Sequence, residues 1–403
     1  MNYLVRKEVV VRRNYYIDLL DKNTNSFKKG AAKNIALLGP RKSGKTSIAK
    51  EHIKSVKDIV SVYIDVEKIS LNPENFSIEF IGNIVFYFLK KPLKEYKKFL
   101  LLENLLKTES EIKSHSAFSL IKVIENELLK IKPNQRLIVE SAFKFAEELA
   151  KNHNKKFLIV LDNFENLLDL NNFAQIKDIL SIINFDAENV NYIATSSAIK
   201  ESLASLKKFE CYEIKNLDKN EAAELIKSII ETHENQRFSG SRKSEGFSRE
   251  PEQKTIDEIF ALSNGHPFVA ILISKKYNET MDAKKAFLIE LLQKNNPIYN
   301  YCNDSLNYYY NRARGQTLLK TILKVVANEE LRLSEIARKI YRSAPVTKSI
   351  LERLMDVDII HKKDNKFYFS DNVLRLWVKL TSQGYEFDNV PDDKVLDEVA
   401  KEL

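Results

Sequence analysis

Asn34-Ile35-Ala36-Leu37-Leu38-Gly39-Pro40-Arg41-Lys42-Ser43-Gly44-Lys45-Thr46-Ser47-Ile48-Ala49 is the stretch whose reading decides the fold. Four apolar residues run into a glycine turn, and helix-forming composition follows it. Within it stands G-x-x-x-x-G-K-T, in the strand–loop–helix context that gives this pattern its meaning. Glycines let a backbone close on a phosphate chain. The loop N–H groups and the following helix N-terminus then point at the anion. Gly39, Pro40, Arg41, Lys42, Ser43, Gly44, Lys45, Thr46 and Ser47 are therefore the expected cradle for a nucleoside triphosphate. Lys45 is expected to reach the β- and γ-phosphates, and the Thr46 hydroxyl to ligate Mg²⁺.

Working outward, 58–66 (DIVSVYIDV) reads as a second buried strand, ending at Asp65 and Glu67. Strand, crossover helix and strand imply a parallel sheet. Residues 74–150 read as mostly helical, with Phe118, Ile121, Ile124 and Leu128 at core spacing and a helical insertion over about 74–135. Phe157-Leu158-Ile159-Val160-Leu161 then ends in Asp162, the strand that sets a carboxylate beside the Mg²⁺ of a phosphate loop. A helix is expected over 173–183. The next strand, 190–194, ends in Thr195-Ser196-Ser197, small hydroxyls at the crevice edge of a doubly wound sheet. Asp218 and Glu221 have capping-box spacing, 235–255 is polar and loop-like, and Gly265-His266-Pro267 stops one helix and starts another.

The last third of the chain differs in charge. The whole chain carries +8, and between Arg312 and Lys379 fifteen Lys/Arg stand against eight Asp/Glu. Such asymmetry points to a polyanion. Here Leu318 to Val326, Leu333 to Ile340 and Pro345 to Met355 read as three helices, with Ser334 capping the second. Asp364-Asn365 then turns a hairpin. That order is a winged helix-turn-helix. Thr347, Lys348 and Arg353 are the residues expected to face a groove of double-stranded DNA, and Lys362, Lys363 and Lys366 to lie on the wing. The same module can instead bind a protein partner, because a fold does not fix a function.

Composition narrows the classes. At 403 residues, 44% hydrophobic and 30% charged, the chain has room for two or three globular domains. Two cysteines and six scattered histidines exclude a disulfide framework and a Cys-based zinc site. The opening MNYLVRKEVVVRR lacks an apolar signal core, and the longest apolar segment is too short to cross a bilayer. A reducing, cytoplasmic setting without membrane attachment is expected.

With these motifs assembled, the sequence resembles the archaeal ATPase family, a branch of the AAA+/STAND-type P-loop NTPases. The resemblance covers about residues 9–380. The basic loop GPRKSGKTS is similar to that family's version. Val11 to Leu20 looks like its opening box, with Arg13, Ile17 and Leu20 matching. Thr195 falls at its sensor-1 cluster, Leu217 with Glu221 looks like the start of its helical lid, and Gly265-His266-Pro267 looks like its GxP motif. The resemblance implies an α/β fold, a P-loop NTPase parallel sheet core with a helical lid and a C-terminal winged helix-turn-helix domain. The expected boundaries are a core at 1–213, a lid at 214–311 with a mobile loop at 235–255, the winged helix at 312–380 and a tail at 381–403. It implies ATP and Mg²⁺ as ligands, Arg13 and Pro267 beside the nucleotide, Thr195 in the catalytic set, and oligomers as an open option.

One departure bears on catalysis. The family places a water-polarising glutamate directly after the metal-binding aspartate. Here Asp162 is followed by Asn163, with Glu165 two residues further on. An amide can position a water but cannot take its proton. The first expectation is a slow ATPase whose nucleotide state controls a DNA-binding winged helix. The second is a weakly hydrolysing or non-hydrolysing scaffold that gates a protein partner. The third is a replication-initiator-like AAA+ protein.

Overall fold

The computed structural model describes residues 14–31, 33–238 and 252–403. Arg13 and most of the 235–255 loop lie outside the described residues. The described residues of that loop at 235–238 and 253–255 continue helices. The chain forms two compact units. One contains the described residues from Asn14 to Pro40 with Lys45–Ile214, and the other Arg41–Gly44 with the described residues from Lys215 to Leu403.

The first unit is built on five parallel strands, β1 (Asn34–Leu38), β2 (Val60–Asp65), β3 (Phe157–Asp162), β4 (Val190–Ser196) and β5 (Phe209–Glu213), in the order β2-β3-β4-β1-β5. Both faces are covered, so β1, β3 and β4 are buried end to end and read as unbroken apolar runs. Alternate residues serve opposite faces. Ile35, Leu37, Leu158 and Val160 meet Leu20 of α1 (Asn14–Lys28) and Ile48 of α2 (Lys45–Ser55). Ala36, Leu38, Ile159 and Leu161 face α3 (Pro73–Phe88), α4 (His115–Leu128) and α5 (Gln135–Asn152). A polar brace joins the first two helices. His52 Nδ1 meets Asp21 Oδ1 at 2.7 Å and its Nε2 meets Thr24 Oγ1 at 2.9 Å. A neutral ring donating to Asp21 and accepting from Thr24 satisfies all three groups.

The helix expected over 173–183 does not form. A short 3₁₀ segment at Ile179–Ser181 lies within that span, after another at Phe164–Asn172. The Asn171 side chain takes the Ile179 N–H at 2.7 Å and Asp178 takes that of Leu180 at 3.0 Å. Such side-chain bonds compete with helical ones. A short helix, α6 (Ile199–Ser205), links β4 to β5.

The second unit opens with α7 (Lys219–Phe238), and Asp218 and Glu221 cap it reciprocally. Then come α8 (Gln253–Ser263), α9 (Pro267–Thr280), α10 (Ala283–Leu292) and α11 (Pro297–Arg312). Gly265, at φ +67°, joins α8 to α9; a Cβ there would lie 2.3 Å from the Leu217 carbonyl oxygen. The winged-helix arrangement follows: α12 (Thr317–Asn328), β6 (Leu331–Arg332), α13 (Leu333–Lys339), α14 (Ala344–Asp356), β7 (Ile360–Lys363) and β8 (Lys366–Phe369), with antiparallel order β6-β8-β7. Asp364 and Asn365 both adopt positive φ, the twist a two-residue hairpin demands. The helix after β6 starts at Leu333 rather than beyond Ser334, because the strand runs straight into it and Glu335 takes the Arg332 N–H at 2.7 Å.

One apolar core runs through this whole unit, from Leu217 and Phe287 through Leu319, Leu354 and Phe369. It reaches α15 (Asn372–Ser382) at Trp377 and α16 (Asp393–Val399) at Leu396 and Val399. The packing shows no break near residue 312, and residues beyond 380 are built into this core rather than forming a loose tail. Among the described residues no helix is long and apolar enough to cross a membrane.

Candidate nucleotide site

The sheet's C-terminal edge gathers the polar residues that the sequence singled out in the first unit. β1 ends at Leu38, and Gly39 passes so close to the next segment that a Cβ would lie 2.4 Å from the Ile214 carbonyl oxygen. That approach admits only glycine. The loop turns through left-handed Lys42 and Gly44 before α2 starts on Lys45. Lys45 is buried, and its Nζ donates to the carbonyl oxygens of Gly39 (2.8 Å) and Pro40 (2.7 Å) and to Ser197 Oγ (3.1 Å). Thr46 Oγ1 donates to Asp162 Oδ1 at 2.9 Å.

Asp162 is 1% exposed, and three hydroxyls converge on it. Besides Thr46, Tyr63 donates to Oδ2 at 2.5 Å and Thr195 donates to Oδ1. A buried carboxylate needs such donors to offset its lost hydration. Burial, and then the Asp162 charge, push the Tyr63 phenol well above its ordinary range, so it stays a donor. Lys50 Nζ sits 4.0 Å from the centre of the Tyr63 ring. Thr195 Oγ1 also accepts the Asn163 N–H at 3.2 Å, so its hydroxyl serves the end of β3.

The two candidates for the water-activating role are both committed. Asn163 is left-handed (φ 56°), which small polar side chains tolerate, and it ends β3 abruptly. Its Nδ2 donates to Asp65 Oδ1 at 2.8 Å. Glu165 is fully buried, and its Oε1 accepts the Ser197 N–H at 3.1 Å. Tyr63 and Asp65 thus join the constellation beside Ser197, a crevice-edge hydroxyl already expected there. The one available signal was that strands 58–66 and 157–162 both end on aspartate.

Hard oxygen donors suit Mg²⁺. The ion takes one or two protein oxygens and completes its shell with water and substrate phosphate. Thr46 and Asp162 form such a pair. Among the described residues no three His, Cys, Asp or Glu side chains gather into a protein-only metal cage. Among the described residues, Ser43 Oγ in the loop is buried without a hydrogen-bond partner.

In the second unit, Pro267 occupies the first turn of α9. The Arg41 carbonyl oxygen lies 3.0 Å from His266 Nε2. Lys42 Nζ stands 4.3 Å from the Phe268 ring centre, and burial lowers its pKa. Tyr301 donates to Asp371 Oδ2 at 2.6 Å.

The residues proposed to face DNA divide. Thr347 is fully buried and its hydroxyl donates to the Ser343 carbonyl oxygen at 3.0 Å, so it faces the core of the helix pair and not a groove. Arg353 Nη1 donates to the Arg314 carbonyl oxygen at 2.8 Å and braces the loop before α12. Lys348 is exposed, with Glu352 3.7 Å away. Lys362 and Lys363 are exposed on β7, and Lys366 pairs across the sheet with Lys363 on one side and Arg332 on the other. Tyr341 (88% exposed) and Val346 (43%) flank the turn into α14.

This sheet order, loop and strand-end aspartate make the fold that of a P-loop NTPase. The Walker-type ATPase PABY2304 of Pyrococcus abyssi has a similar structure, with TM-score 0.61 and 16% identity over 91% of this chain and 95% of that one. At that identity the likeness concerns the fold alone. ORC2 of Aeropyrum pernix (TM-score 0.36, 12% identity, covering 97% and 93%) and the RuvB Holliday junction branch migration motor of Thermotoga maritima (0.34, 12%, covering 96% and 95%) align too loosely to carry an argument. No described protein family and no curated protein matches the sequence.

Proposed function

We propose that this chain is an ATP-dependent switch that binds Mg²⁺–ATP, hydrolyses it slowly and uses its nucleotide state to control a DNA-binding winged helix. The observation that carries the reading is the Thr46–Asp162 hydrogen bond at 2.9 Å, one residue from Lys45, with both oxygens at the crevice edge of the sheet. Lys45 would exchange its loop carbonyls for phosphate oxygens. Thr46 and Asp162 would hold the metal, which supplies charge stabilisation to the phosphates. Tyr63 and Thr195 would fix the Asp162 carboxylate. Gly39 to Ser47 would wrap the phosphates. Residues 1–213 would act as the ATPase core, 214–311 as the lid and 312–380 as the DNA reader.

On the DNA side, Lys348, Lys362, Lys363, Lys366 and Arg332 supply charge for phosphates, and Tyr341 and Val346 supply apolar contact. A basic surface of this kind binds duplex with a salt-dependent, largely sequence-independent term. The ATPase reading is tested by steady-state turnover against Lys45→Ala. A chain that turns over no faster than that variant is not an ATPase.

A second reading, an ATP-binding scaffold that scarcely hydrolyses and gates a protein partner, draws support from the amide at position 163 and from the engagement of Glu165 with the Ser197 N–H. Unchanged duplex affinity with and without nucleotide would favour it. A cytoplasmic setting is part of both readings, supported by free thiols at Cys211 and Cys302.

A further inference from the structure

We propose that Asp65, at the end of the neighbouring strand, is the proton acceptor for the attacking water. The inference rests on the hydrolase reading above. β2 and β3 run parallel in a register that sets Asp65 opposite Asp162, so two carboxylates leave adjacent strands at one edge of the sheet. Neighbouring strands lie about 4.8 Å apart, within the span of one metal–water–phosphate assembly. Position 163, where a water-activating carboxylate is expected, holds an amide, and that amide is bonded to Asp65.

The pair therefore keeps one carboxylate and one amide, with the carboxylate on β2. Asn163 Nδ2 holds Asp65 Oδ1, and Lys68 Nζ holds Oδ2 at 2.6 Å. Each oxygen retains a further lone pair, and the Asn163 carbonyl oxygen remains an acceptor. A water can bond to both groups at once. The Asp65 side chain is 13% exposed, so water reaches it, whereas Glu165 is fully buried against the Ser197 N–H.

In the step, the water oxygen bonds to the γ-phosphorus and the bond from that phosphorus to the β–γ bridging oxygen breaks. ADP leaves with the electron pair. The water proton passes to the Asp65 carboxylate and then to solvent, leaving inorganic phosphate. The Asn163 amide orients both the water and Asp65, so it is a positioning residue.

The test compares the full chain with Asp65→Asn and with the exchanged double variant Asp65→Asn/Asn163→Asp. Turnover is read beside affinity for a fluorescent ATP analogue and the far-ultraviolet circular dichroism melt. Removing a general base lowers turnover by roughly 100-fold or more, and Asp65→Asn is expected to do so with ATP affinity and melting retained. The double variant, which returns a carboxylate to the pair, is expected to recover most of that loss.

Parental turnover in Asp65→Asn overturns the inference alone. So does a loss that the double variant does not recover. A parent chain that binds ATP but turns over no faster than Lys45→Ala overturns both the inference and the hydrolase reading. A parent that does not bind ATP overturns the nucleotide reading itself.

Discussion

The edge of the parallel sheet and the wing hold the two proposed sets of functional polar residues under opposite conditions. At the sheet edge, Lys45, Asp162, Thr195 and Glu165 are buried, and each is bonded to a specific neighbour. On the wing, Lys362 and Lys363 stand in solvent. Buried polar groups are costly unless paired, so the first set must be exact in geometry. Solvated lysines act through summed charge and tolerate displacement. Substitutions at the sheet edge should therefore be abrupt, and those on the wing graded.

The largest expected effect is at Lys45. Lys45→Ala removes the cation proposed to meet phosphate, a change of a few kcal/mol when charge-assisted bonds are lost, and ATP affinity should fall by about 100-fold or more. Calorimetric titration of Mg²⁺–ATP checks this, and an undiminished affinity would break the contrast between the two regions. Second, Lys362→Ala/Lys363→Ala should weaken duplex binding across all sequences and flatten the log affinity against log salt plot by about two units. Fluorescence anisotropy at several salt concentrations gives that slope, which a protein-binding wing would leave unchanged.

Third, the His52 brace gives the first unit a pH dependence. Burial lowers the His52 pKa below its ordinary 6.5, against the opposing pull of Asp21. The folded chain thus binds fewer protons than the unfolded chain. Its contribution to stability is full above pH 6.5 and is lost as pH falls below that value. Urea unfolding at pH 7.5 and pH 5, with His52→Gln as the control, should show the loss only in the parent. Last and smallest, Thr347→Val should leave the salt slope of duplex binding unaltered and cost about 1 kcal/mol of stability, the ordinary value of one hydrogen bond. A marked loss of DNA affinity in that variant would return Thr347 to the groove.

The reading at Thr347 shows where a sequence stops being informative. Helical position and polarity put it in the reader helix, but the hydroxyl turns inward to the Ser343 carbonyl oxygen. Arg353 is similar, its charge used by a loop 39 residues earlier in the chain. The 173–183 segment carried apolar spacing fit for a helix, and side-chain bonds from Asn171 and Asp178 outcompeted it. Local pattern cannot price such competitors, because their partners are fixed only when the chain has folded.

The sequence by itself determined the phosphate loop, the alternating apolar strands, the strand-end aspartates and the basic hairpin. Each rests on residues within one turn or one strand of one another, where period and residue type suffice. The tertiary structure alone decided that Asp65 lies opposite Asp162, that Asn163 holds Asp65, that Glu165 turns to the Ser197 N–H and that Tyr63 closes on Asp162. These pairings depend on which strands become neighbours and in what register, and register is set by how the two faces of the sheet are buried.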